Sequence, residues 1–186
     1  MPATASVPYK QLLDDLRSSD QGRQNKAFQT LVKATDKPVD WAHEVWDDLL
    51  RTLNDGDNRQ RSIAAQVLAN LAKSDGEGRI LKDLPALLRT TKDPRFVTAR
   101  HCMQSLWKVG VAGDRQREAL LKGLSTRFKE CAVEKNCTLI RYDILVVLRR
   151  VYDIVGDEQI RERATKLIAT EDDSKYQKKY MSVWRK

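Results

Sequence analysis

His43-Glu44-Val45-Trp46-Asp47 begins like the helix of a zinc protease, His-Glu-x-x-His, in which two imidazoles one turn apart hold the metal beside a glutamate base. Asp47 stands where the second imidazole is needed, and the sequence has one other histidine, His101. The pattern therefore predicts no metal and an amphipathic helix, with Trp41, Val45, Leu49 and Leu53 inward and Asp47 and Asp48 outward. Asp55-Gly56-Asp57-Asn58 opens like a calcium loop, but its glycine is misplaced and Gln66 occupies the twelfth position, so it reads as a turn with a helix cap. Gly76-Glu77-Gly78 precedes a helix with no strand before it, which does not support a nucleotide fingerprint. His101 and Cys102 are adjacent on a helix and point about 100° apart, so they cannot form a nucleophile and base. Cys102 is expected to pack in the interior. These residues imply no catalytic group, no cofactor and no metal.

The chemistry that remains is charge. The 186 residues carry 34 Lys plus Arg against 26 Asp plus Glu, a net charge of +8. That length fits a single domain, 1–186, able to bury a core without disulfides or metal. The longest aliphatic run, Ile144 to Leu148, is far short of the roughly 20 apolar residues that cross a bilayer. Cys102, Cys131 and Cys137 form no Cys-x-x-Cys pair, and the opening Met-Pro-Ala-Thr-Ala-Ser-Val-Pro has no basic-then-apolar signal. Reduced thiols and a cytoplasmic location are the expectation.

Apolar residues recur at helical spacing, as in Ile63, Ala64, Val67, Leu68, Leu71 and in Ile140, Ile144, Leu145, Leu148, Val151. Turn and cap residues between such stripes divide the chain into ten helices near 7–18, 21–35, 40–54, 58–73, 79–91, 95–109, 115–132, 138–155, 157–169 and 174–185. Short connections make each helix fold back on its predecessor. The second members begin near 21, 58, 95, 138 and 174, a period near 40 that predicts an all-α stack of about five helix pairs.

The residues resemble the HEAT repeat family, close kin of armadillo repeats. Leu84-Pro85-Ala86-Leu87-Leu88 followed by Lys92-Asp93-Pro94 is similar to that family's first helix and Asp-Pro turn. Arg61, Ala64 and Leu68, with Asp55 or Asp57 upstream, match its second-helix pattern, as do Ile140, Arg141 and Leu148 after Asn136, with Ile144 at the alanine position. Gln24, Ala99 and Ser174 depart from the arginine position, and Arg100 follows one residue after Ala99. The resemblance implies a right-handed α-α superhelix whose second helices line a concave face, and a binding surface without catalysis. It also implies that Arg61 and Arg141 bond a turn acid of their own or the next repeat.

Partitioned by helix role, the charge separates. The five second helices, extended to Lys186, hold seventeen basic residues against two acidic ones, Asp143 and Asp153. Aligned on Leu31, Leu68, Leu106 and Leu148, they place Gln29, Gln66, Gln104 and Val146 two residues before the anchors, and Lys33, Asn70, Lys108 and Arg150 two after. Six before lie Asn25, Ser62, Arg100 and Tyr142, and no row contains a carboxylate. Offsets of three and four residues put these rows on one helix face. With Arg59, Arg149, Lys175 and Lys179 they form a predicted basic, amide-rich ridge. Its expected partner is an acidic protein or peptide; the alternative is a DNA or RNA backbone. Some DNA alkylation repair glycosylases share HEAT-like repeats and use concave Trp, Arg and Asp. Trp107 beside Arg100 and Lys108, with Asp143 or Asp153 as the acid, is the arrangement that reading would need.

Overall fold

The computed structural model describes residues 8–185. Residues 1–7, which hold all but the last residue of the opening segment read for a signal and the first residue of the expected helix at 7–18, and Lys186 lie outside the described residues. Within them the order is α1 (Tyr9–Leu16), α2 (Gln21–Ala34), α3 (Ala42–Asp55), α4 (Asn58–Leu71), α5 (Arg79–Thr90), α6 (Phe96–Ser105), α7 (Trp107–Gly110), α8 (Asp114–Glu130), α9 (Cys137–Val155), α10 (Glu158–Ile168) and α11 (Ser174–Ser182). Single 3-10 turns follow α4 and α8, and no strand occurs among the described residues.

The helix ends lie where side-chain chemistry can satisfy the free backbone groups. Asp20 accepts from the Gly22 and Arg23 amides, and Asp57 and Gln60 form a reciprocal capping box at α4. Asp157 and Asp173 cap α10 and α11, and Gly156 ends α9 at φ 71°, a left-handed conformation that costs an L side chain energy.

One expected helix, 95–109, divides in two. At Leu106 the amide bonds back to Met103 O, a tighter three-residue turn, and the Ser105 hydroxyl donates to Cys102 O. The redirected turn, α7, packs on α8 and α9. Gly110 makes the close approach possible: a β-carbon there would lie 2.8 Å from Val151 and 3.0 Å from Leu120.

The helices pack in two rows. In one, α1 contacts α3, α3 contacts α5, α5 contacts α8 and α8 contacts α10; in the other, α2 contacts α4, α4 contacts α6, α6 contacts α9 and α9 contacts α11. Apolar stripes from both rows meet in one buried cluster running from Leu12 to Trp184, which includes all four anchor leucines. Trp46 is fully buried, and its indole N–H donates to Asp83 at 2.8 Å. Tyr180 is fully buried too, edge-on to Phe128, with its hydroxyl donating to Thr138 O.

Neighbouring pairs are also joined by charge. Arg61 forks onto Asp93 at 2.7 and 3.1 Å and donates to Gly56 O; Arg141 donates to Glu171 at 2.8 Å and to Phe128 O. Both acids sit in the turn of the following pair, and the spans are 32 and 30 residues. Burial pushes the Asp93 carboxyl upward, but the Arg61 fork and the Arg95 amide outweigh it and hold the group below the usual carboxylate range. A depressed folded-state value means stability that is present above the unfolded value of about 4 and lost as pH falls through the folded one. Asp93→Asn is therefore expected to unfold at lower urea than the parent at pH 7, with the gap closing under acid; a gap constant with pH would refute this role.

Candidate binding face

Four second-helix positions predicted to form an open row instead carry cross-helix ties. Arg59 on α4 donates to Asn25 on α2 at 2.5 Å, and Ser62 on α4 pairs with His101 Nδ1 on α6 at 3.0 Å. Arg100 on α6 forks onto Asp143 of α9 at 2.7 and 3.0 Å. The Lys179 ammonium of α11 stands over the Tyr142 ring of α9 at 5.1 Å. Row membership on one helix coincides with facing the next helix.

That geometry corrects several expectations. Arg100 is not a free cation: its partner Asp143 is buried, with a side chain 5% exposed, and also accepts from Gln104 at 3.3 Å. A carboxylate thus sits within the face that the rows showed as acid-free. Asn70 is fully buried and donates to Val32 O and Thr35 Oγ1, tying α4 to the end of α2, so it is not part of a binding surface. Arg149 donates to Asp153 and to Val183 O and lies over the Tyr152 and Trp184 rings, which makes it a brace for the segment after α11. Gln66 folds back onto Ser62 of its own helix.

The remaining residues are exposed or half-buried. Among the described residues, Lys33, Lys108, Arg150, Lys175 and Lys179 take part in no ion pair within 4.0 Å, and Gln29 is exposed. Lys108 and Arg150 both stand against the Trp107 ring, at 5.8 and 5.9 Å from its centre. Burial, then repulsion from Lys73, pull the Lys108 ammonium below its usual range against the attraction of Asp36, with Arg150 adding a lesser repulsion. Lys73 itself donates to Asp36 O at 2.9 Å.

Two depressions lie on this row. One of about 540 Å³ between α2, α4 and α6 has Phe28, Ile63 and the 65% exposed Val97 beside Arg59, Gln66 and His101. The second, about 300 Å³ between α6 and α9, brings Arg100, Gln104, Tyr142 and Arg150 together with Asp143. The apolar floor of the first was missed because the rows were read for charge; the offset of Val97 on α6, one turn before His101, was its available signal.

Elsewhere, the zinc-like string lies wholly on α3, where His43 faces Glu77 at 3.9 Å and Asp47 pairs with Arg79 at the start of α5. Arg127, absent from every expected site, is 2% exposed and bonds Glu134 at 2.5 and 2.9 Å and both oxygens of Thr91. In comparison with known proteins, no family model and no curated protein matches this chain.

Proposed function

We propose that this protein is a non-enzymatic, cytoplasmic binding scaffold, a HEAT-like solenoid whose second-helix row forms a concave face for an acidic protein segment. The two continuous rows of helix contacts, one from α1 to α10 and one from α2 to α11, support the solenoid reading. The observation that carries the choice of partner is the depression of about 540 Å³, because its apolar floor of Phe28, Ile63 and Val97 adjoins polar and basic groups. An acidic helix or tail with one or two apolar side chains satisfies both. The unpaired Lys33, Lys108 and Arg150 on the same row then meet its carboxylates, and a rigid face limits the ordering cost of binding.

A second reading, nucleic acid, draws on Trp107 held between Lys108 and Arg150, an aromatic flanked by cations. The glycosylase-like arrangement has less support, since both oxygens of Asp143 are taken by Arg100 and Asp153 is paired with Arg149.

The test uses fluorescence anisotropy with an acidic amphipathic peptide, a DNA duplex and a DNA single strand across a salt series. The peptide should bind more tightly than either DNA, weakening with salt. Lys33→Glu with Lys108→Glu and Arg150→Glu should reduce peptide affinity about tenfold or more, as several charge contacts turn repulsive, while leaving the melting temperature near the parent's. Tighter DNA binding with the steeper salt slope of phosphate contacts would replace the first reading by the second. Binding of no polyanion at low salt would refute both.

A further inference from the structure

The three cysteines are in chemically different places. Cys102 is fully buried on α6, its thiol donates to Leu87 O, and burial drives its acidity far down. Cys131 begins the 3-10 turn after α8, and Cys137 is the first residue of α9. The turn folds so that their sulfurs lie 2.6 Å apart, inside the contact distance of two non-bonded sulfurs and little more than the roughly 2.0 Å of a disulfide. Cys131 is buried, whereas Cys137 is partly exposed. Arg141, one turn further along α9, lies over the Phe128 ring at 4.8 Å, and its charge acts on both sulfurs.

We propose that Cys131 and Cys137 are a dithiol modification site, which a hydroperoxide oxidises to an intrachain disulfide joining the turn after α8 to the start of α9. The division of labour follows from exposure. Cys137, reached by solvent, attacks as thiolate: its sulfur bonds the distal peroxide oxygen, the O–O bond breaks, and the leaving oxygen takes up a proton as water when the oxidant is hydrogen peroxide. Cys137 is then a sulfenic acid. Cys131 sulfur attacks the Cys137 sulfur, the S–O bond breaks, and the departing hydroxide leaves as a second water with the Cys131 thiol proton. Two thiols lose two electrons and one peroxide gains them.

Burial, with the Cys137 thiol beside it, holds the Cys131 thiol up at about 12, which suits a resolving group that stays protonated until its neighbour is oxidised. Arg141 and Arg127 act against that rise, lending positive charge where thiolate character develops in the second step. A cysteine outside contact with a partner would instead progress to sulfinic acid under excess peroxide.

The sequence makes the link easy to read. Trypsin cuts after Lys129, Lys135 and Arg141, which places Cys131 and Cys137 on separate peptides, 130–135 and 136–141. After treatment of the full chain with stoichiometric hydrogen peroxide the intact mass should fall by two hydrogens, and subsequent alkylation in denaturant should add a single alkyl group. The two peptides should appear linked, the link should be lost on reduction, and Cys102 should be fully alkylated. Cys131→Ser should leave Cys137 as a sulfenic acid trapped by a dimedone probe, and Cys137→Ser should leave Cys131 unoxidised. Alkylation of both cysteines after peroxide, sulfinic acid on Cys137 without a link, or a link only between two chains would each overturn the proposal. Because the primary measurement is on the unsubstituted protein, a poorly folding serine variant does not rescue it.

Discussion

Arg100→Met is expected to lower the unfolding free energy by about 3 kcal/mol, the loss seen when one member of a buried ion pair is removed and the other is stranded. The stranded group is Asp143, whose side chain is 5% exposed and would keep a single bond, from Gln104 at 3.3 Å. The opposite substitution is milder. Asp143→Asn leaves Arg100, 37% exposed, able to reach water and still facing a carbonyl acceptor, so about 1 kcal/mol is the expected cost. Made together, the two changes should cost clearly less than their sum, because the neutral amide is no longer a charge to be stranded. Urea unfolding followed by circular dichroism, with an unchanged denaturant slope, gives all four corners of the cycle. Additive losses, or a larger loss for Asp143→Asn than for Arg100→Met, would show that burial of the acid is not what matters. Charge reversal at Arg100 consequently reports on folding first, which is why the binding test above leaves it alone.

Glu134→Ala should be comparably damaging, about 2 to 3 kcal/mol, although a glutamate in a turn is usually a harmless target. Here too the more exposed partner is the one whose loss costs more. Glu134 is 38% exposed, while the Arg127 guanidinium that it neutralises is 2% exposed and would be left with its two bonds to Thr91. Glu134→Gln keeps an acceptor and should cost less than the alanine. Arg127→Lys should fail to replace the native residue, because an ammonium cannot fork onto both carboxylate oxygens while bonding Thr91. The comparison is Glu130→Ala, whose partner Lys92 is 48% exposed and which should change stability far less. Equal effects at 130 and 134 in the same urea titration would refute the assignment.

The helices were legible because their ends carry their own chemistry: Asp20, Asp57, Gly156, Asp157 and Asp173 act within one turn of where they stand in the chain. Leu31, Leu68, Leu106 and Leu148 were legible as interior anchors because periodic apolar residues need a common face to bury. Arg61 and Arg141 were placed through resemblance to a repeat pattern that implied a bond to a turn acid of their own or the next repeat, and both bond an acid in the turn of the following pair. The ridge was less legible. Lys33 and Asn70 share one offset from their anchors, yet Lys33 is exposed and Asn70 buried, because α4 has neighbours on both sides and α2 packs on α4 alone within its row. Periodicity on one helix gives a direction and does not identify what the next helix places there. Asp143 is 43 residues from Arg100, and Arg127, on α8, finds its partners Thr91 and Glu134 in turns outside its own helix. The break at Leu106 and the meeting of Cys131 with Cys137 come from short turns, where a change of one hydrogen-bond register redirects everything after it.

The charged ties between pairs, from Arg61 to Asp93 and from Arg141 to Glu171, reach one pair ahead, and the longest side-chain hydrogen bond among the described residues, Arg163 to Glu118, spans 45 residues. Loop closure is therefore modest for these ties, and assembly can begin at any adjoining set of pairs and grow outward, favouring fast folding for a chain of this size. It also shapes failure. Opening α10 and α11 removes support from α8 and α9, whereas α2 and α4 pack chiefly on α1, α3 and α6, so the molecule can loosen from one end while the depression between α2, α4 and α6 keeps its form.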